Sequence, residues 1–187
     1  MKELVWDLFV RFFHWSLVAS FTVAYLAAEY GYDDVHEWLG YFLLLLVVAR
    51  IVWGFIGTKY ARFSSFVFPL STYIANIKSI LTGNHKEHYY GHAPVAGLMV
   101  FVLISSLVVM GISGLVLLGW GEYMGPVWAL NIPVSDAMGA LSKLVHYQLA
   151  VILLIFIGLH IGGVVLAVVQ HKENIVRAMV TGYKNKH

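Results

Sequence analysis

"VHYQLAVILLIFIGLHIGG", residues 145–163, is a run of lipid-soluble side chains bounded by two histidines. With its continuation it is long enough to cross a hydrocarbon core, which needs about 20 apolar residues in a helix. His146 and His160 are 14 residues apart. At about 100° per residue that interval returns to nearly the same helix face, and at 1.5 Å per residue it covers roughly 21 Å along the axis. One face therefore offers an imidazole near each side of a membrane. An ionisable side chain inside a spanning helix is costly and marks a functional site by default.

The rest of the chain belongs to the same solvent. Of 187 residues, 60% are hydrophobic and only 12% charged, and the mean hydropathy is +0.78, which is too apolar for an ordinary soluble domain. Helical spans are expected at about 8–28, 36–57, 94–118 and 144–169. The first could pass for a secretory signal, but its apolar run exceeds an h-region and cleavage would discard His14, so it is read as a retained helix. Between the second and third spans, Leu70, Tyr73, Ile74, Ile77, Ile80 and Leu81 repeat at helical spacing, which predicts an amphipathic helix over about 69–82 lying along the membrane surface. No tandem repeat or second domain is visible. The expected fold is all-α: one domain over 1–187, an integral membrane four-helix bundle with a cytoplasmic interfacial helix.

Eleven of the twelve Lys and Arg residues lie in the amino terminus, the loop after the second span and the carboxyl tail; Lys143 is the exception. The positive-inside rule then puts both termini in the cytoplasm. The other loops carry Glu29, Asp33, Asp34, Glu37, Glu122 and Asp136. A net charge of +2 thus combines two faces of opposite sign, which gives nucleic-acid binding no support and suits a basic partner at the acidic face.

There are no cysteines, which excludes iron–sulfur clusters, thiolate-ligated haem and the covalent attachment of c-type haem. A metal centre must use the nine histidines. His14 in "VWDLFVRFFHW" lies toward the inner end of the first span and His36 in "HEWLGY" toward the outer end of the second. Depth then pairs His36 with His146 near the outer surface and His14 with His160 near the inner one. Two pairs of neutral nitrogen ligands without thiols suit two six-coordinate, non-covalently held haems.

Other residues are candidates for subsidiary roles. Arg50 lies 14 residues after His36 on one face of the second span, where it would either pair with a haem propionate or snorkel to the surface as an anchor. Gly97 and Gly111 repeat the same interval, so the backbone there is expected to approach a flat macrocycle. His92 and His171 stand near the cytoplasmic surface, placed for propionate or quinone contact. His85, His88 and His187 are assigned no role. A metal-ion transporter would need broken helices or a polar lumen, and 43–49 and 150–157 are continuously apolar.

The blocks "VWDLFVRFFHW", "HEWLGY", "ARIVWGFIGTKYARFSSF", "GHAPVAGLMVFVL", "LHIGGVVLAVV" and "QHKENIVRAMVTGYK" occur in order from residue 5 to 184. Together they resemble the prokaryotic cytochrome b561 family, which includes the cytochrome b subunits of nickel–iron hydrogenases. The resemblance implies a four-helix core and two haem b ligated by His14, His36, His146 and His160. Ala93 stands where the usual G-H-N-P motif has asparagine. The additional helix of the hydrogenase subunits has no counterpart here, which weighs against a hydrogenase partner.

The expected function is electron transfer through two haem b between the quinone pool and a periplasmic carrier such as a cytochrome c, in the bacterial inner membrane. The alternatives are a superoxide:quinone oxidoreductase, which the resemblance implies, and a haem-b anchor subunit of a periplasmic oxidoreductase. Membrane lipid, quinone and the periplasmic electron-transfer protein are the expected partners, and a homodimer is left open.

Overall fold

A computed structural model describes residues 2–82, 89, 91–171 and 174–185. The elements run β1 (Lys2–Leu4), α1 (Leu8–Glu29), α2 (Asp33–Ile56), α3 (Leu70–Thr82), α4 (Pro94–Gly121), α5 (Gly125–Ala129), α6 (Asp136–His171), α7 (Ile175–Thr181) and β2 (Tyr183–Asn185), with a 3-10 turn at Phe63–Ser65. Helices α1, α2, α4 and α6 are each long and apolar enough to span a membrane. In the most apolar stretch of α6 only 6% of residues are buried, and Val151, Ile155 and Leu159 present one exposed aliphatic face. Such a surface is stable only in hydrocarbon, where the helix satisfies its own backbone. The protein is an all-α membrane bundle.

Local chemistry sets the helix ends. Asp7 caps α1, its Oδ1 accepting from the Val10 amide at 2.8 Å. At the far end Gly31, at φ +74°, lets the Tyr32 amide reach back to the Ala27 carbonyl at 2.8 Å, a Schellman closure. The chain reverses at once, and α2 starts at Asp33 with Asp33 and Asp34 in its first turn, where carboxylates favour the positive end of the helix dipole. His36 consequently sits inside α2 and not at its edge. Helix α6 starts eight residues before the apolar run does, because Ser135 Oγ accepts from the Met138 amide at 3.3 Å and Asp136 occupies the first turn. Caps, and not the membrane boundary, decide these starts.

The chain divides into two compact units. Unit 1 comprises residues 1–16, 48–102 and 157–187. Its core packs Val5, Trp6, Val10, Ala61 and Ala178 together, flanked by Trp53, Tyr60 and Met179. Strands β1 and β2 pair antiparallel, with Glu3 opposite Lys184. Gly182, at φ +90°, ends α7, and its carbonyl accepts from the amides of Val5 at 2.8 Å and Trp6 at 3.1 Å. Arg11 adds a bond from Nη1 to the Thr181 carbonyl at 2.8 Å. Helix α3 exposes Leu70, Ile74, Ile77 and Leu81 on one side, an apolar stripe suited to an interfacial position.

Unit 2 comprises residues 17–47 and 103–156. Ala24, Ala27, Leu46, Val47, Ile104, Leu107 and Leu153 are its buried apolar side chains. Lipid tails are as apolar as leucine, so helices here associate by close packing of small residues. Gly111 is such a contact: a Cβ added there would lie 2.8 Å from Leu44 Cδ1. In unit 1, a Cβ on Gly97 would lie 2.9 Å from the Phe66 carbonyl oxygen. Both glycines let protein atoms approach closely.

Candidate functional site

Unit 1 brings together His14 of α1 and His160 of α6, with ring centroids 6.3 Å apart and planes at 50°. Unit 2 brings together His36 of α2 and His146 of α6, at 6.0 Å and 83°. Neither pair is in stacking contact. Two imidazoles that hold one metal from opposite sides, each at about 2 Å with roughly 1.1 Å more to the ring centre, have centroids about 6.2 Å apart. Both separations match that requirement. Among the described residues no group of three or more His, Cys, Asp or Glu side chains is arranged to hold a metal ion. A centre using just two protein ligands is the kind that fits, and a bis-imidazole haem is one.

The Nδ1 nitrogens differ between the pairs. His36 Nδ1 lies 2.9 Å from the Ala24 carbonyl oxygen. His146 Nδ1 lies 3.2 Å from the Met110 carbonyl oxygen and 3.1 Å from Ser113 Oγ, while the Ser113 hydroxyl itself donates to Met110 O at 2.9 Å. A carbonyl acceptor places the proton on Nδ1 and leaves the Nε2 lone pair free, the tautomer a metal requires. His14 Nδ1, by contrast, is buried with no hydrogen-bond partner. Its ring meets Trp15 edge-on at 5.1 Å as well as facing His160. Ser113, Ala24 and Met110 escape sequence reasoning, since a carbonyl has no residue signature; the one available signal was a serine within an apolar helix.

Unit 1 also holds Arg50 and His92. Arg50 is 3% exposed, so it does not snorkel. Its Nη2 donates to the Ala61 carbonyl at 3.1 Å and its guanidinium lies 5.1 Å from the Phe63 ring centre, while Nη1 has no partner. The His92 ring packs 4.6 Å from both Trp6 and Phe66. Burial, reinforced by the charges of Arg50 and Lys184, pushes its imidazole down to about 3, so it is neutral at physiological pH. His92 Nδ1 and Trp6 Nε1 are likewise buried without partners. Unpartnered buried polar groups cost about 1–3 kcal/mol each, so the Arg50 and Trp6 donors, beside His92, ask for an acceptor from outside the chain. A propionate or another anionic oxygen meets that demand.

Asp7 lies beside this cluster and escaped a role in sequence reasoning. Its Oδ2 accepts from Trp53 Nε1 at 3.0 Å and from Thr58 Oγ1 at 2.6 Å. Burial is the largest influence on it and raises its pKa, but the bonds from Thr58, Val10 and Trp53 and the charge of Arg50 together hold the carboxyl below its usual range. The His171 side chain and the whole of His85, His88 and His187 lie outside the described residues.

A multi-span helical protein with two facing imidazole pairs and no thiols has the form of a membrane cytochrome. The chain belongs to the prokaryotic cytochrome b561 family, whose model matches residues 5–182. No curated protein and no solved structure matches it. Family membership makes it a multi-pass membrane protein of transmembrane electron transfer that binds haem b.

Proposed function

We propose that the chain is a two-haem wire in the bacterial inner membrane, passing electrons between a periplasmic carrier such as a cytochrome c and the quinone pool. The observation that carries this reading is the pair of facing imidazoles in each unit, at 6.3 and 6.0 Å. Haem b supplies one-electron redox chemistry at its iron. His14 and His160 would hold one group and His36 and His146 the other. Arg50, His92 and Trp6 offer their unpartnered donors to the propionates of the group in unit 1. Both termini are cytoplasmic, and the whole chain works as one module. A histidine on each side would leave the metal no open position for a soluble partner to bind.

Two b-type haems per chain should be extracted by acidified organic solvent, since no cysteine exists to bind them covalently. The oxidised and reduced visible spectra of the purified protein test this directly; a fully loaded preparation with one haem per chain contradicts the two-pair reading.

The acidic residues of unit 2 define the periplasmic face in this reading. Asp33 and Asp34 are exposed and Glu37 half-buried. A carrier docking there is locally basic and steered by the field, and the steering is screened over about 8 Å at physiological ionic strength. Reduction by the carrier should therefore slow as salt rises. Changing Asp33 and Asp34 to Asn and Glu37 to Gln should slow it at low salt with the visible spectra intact. Stopped-flow mixing across a salt series checks this, and equal flat rates in both proteins remove the docking role.

A further inference from the structure

We propose that the end of α6 and helix α7 form a seat for one anionic phospholipid, with an acyl chain lying between the two helices and the phosphate held by Arg177. The seat lies wholly within unit 1 and does not depend on how many haems the protein carries.

The groove between these helices has a volume of about 630 Å³, which is the size of a single-ligand site. Its wall is valine: Val164, Val165, Val168 and Val169 from α6, and Val176 and Val180 from α7. On α6 they fall at i, i+1, i+4 and i+5, and on α7 at i and i+4, so each set shares one helix face. Valine branches at Cβ and holds essentially one rotamer in a helix. The wall therefore keeps its shape without an occupant, and binding costs it little side-chain freedom. Val165, Val169, Val176 and Val180 are 49–68% exposed, and an open apolar concavity of this kind is covered by something apolar. The spanning stretch of α6 ends at Gln170, so the groove stands where hydrocarbon gives way to headgroups.

Charge selects the occupant. The polar residues lining the groove are Asn174 and Arg177. Asn174 Oδ1 accepts from the Arg177 amide at 2.7 Å, which leaves the side-chain NH2 of Asn174 as a donor. Among the described residues nothing engages the Arg177 guanidinium, whereas Arg11 and Arg50 donate to the carbonyls of Thr181 and Ala61. A guanidinium fork matches the oxygens of a phosphate. Unit 1 as a whole carries eleven Lys and Arg against four Asp and Glu, a field that draws a net negative headgroup and gives a neutral one nothing. Lipid tails are as apolar as the valines, so the wall does not distinguish one lipid from another. The wall fixes the chain and Arg177 chooses the head. A neutral quinone would satisfy the wall and leave the guanidinium unanswered.

Native mass spectrometry of the haem-loaded full chain, in detergent with added dioleoyl phosphatidylglycerol or dioleoyl phosphatidylcholine, tests the proposal. The wild type should hold one phosphatidylglycerol at saturation and prefer it over phosphatidylcholine by about fivefold, the effect of one basic side chain near a headgroup. Arg177→Gln should abolish the preference and Arg177→Lys should keep it; neither alters the wall. Val180→Phe, which fills the groove from its exposed rim, should weaken both lipids. If that variant fails to fold, the two Arg177 variants decide the question by themselves. Glycerol 3-phosphate, a head without a chain, should not compete. Equal binding of the two lipids by the wild type, a preference that survives Arg177→Gln, undiminished binding in a folded Val180→Phe, or competition by glycerol 3-phosphate overturns the seat. Displacement of phosphatidylglycerol by equimolar decylubiquinone overturns it as well and gives the groove to a quinone.

Discussion

His146→Ala and His36→Ala should each leave the protein with one haem, and it should be the same haem; His14→Ala and His160→Ala should each leave the other. On the proposed pairing the effect is the loss of half the cofactor, because the remaining imidazole of the pair would have to hold its group alone. The geometry makes the grouping specific. His160 lies 6.3 Å from His14 and His146 lies 6.0 Å from His36, so each histidine of α6 has one partner. Haem content per chain, measured with the redox components that survive, reads the result. If His14→Ala and His36→Ala lose the same component, the pairing is wrong. If all four variants retain two haems, these histidines are packing residues.

Asp7→Ala should have the next largest effect, on stability. The carboxylate caps α1 through Val10 and receives hydrogen bonds from Trp53 and Thr58. Losing a cap costs about 1 kcal/mol, and two part-buried donors left without an acceptor add about 1 kcal/mol or more each. The sum, about 3 kcal/mol, should lower the Tm by roughly 6–12 °C in a protein of this size. Asp7→Asn should recover little, because the amide NH2 would face the cap amide or the Trp53 and Thr58 donors. The pH dependence has a definite sign. The folded pKa lies below the ordinary 3.8, so the ionised form favours folding. That contribution is complete above the unfolded pKa and is lost as pH falls below it through the folded value. Thermal melts should be insensitive to this group from pH 7 to 5, and the wild-type loss below about pH 4 should be smaller in Asp7→Asn.

The spans were legible because lipid imposes a simple demand, about 20 apolar residues in a self-satisfied helix. The histidine pairs were legible for a related reason: the 14-residue interval between His146 and His160 is geometry of one helix, and the two remaining intramembrane histidines differ in depth. What escaped depends on contacts between distant residues. The start of α6 at Asp136 rests on a serine cap outside the apolar run. The pairing of residues 2–4 with 183–185 joins segments too short and polar to announce themselves as strands. The close approaches of Phe66 to Gly97 and of Leu44 to Gly111 likewise join distant residues. Arg50 was ambiguous between burial and snorkelling because its sequence neighbours permit both; the Ala61 carbonyl, eleven residues on, decides it.

Helix α6 supplies one imidazole to each pair, and it is the last long helix of the chain. This has a consequence for biosynthesis. While the protein is being made, His14 and His36 reach the bilayer early, in a helical hairpin that has nothing to offer them. The His36 pair cannot form before residue 146 has left the ribosome, nor the His14 pair before residue 160, so both form late in synthesis. A nascent chain arrested before α6 leaves two bare imidazoles in the membrane with no haem to quench them. Pulse-labelling in haem-limited cells should therefore show full-length chains made at a normal rate, with their lifetime reading whether the late-formed sites contribute to stability.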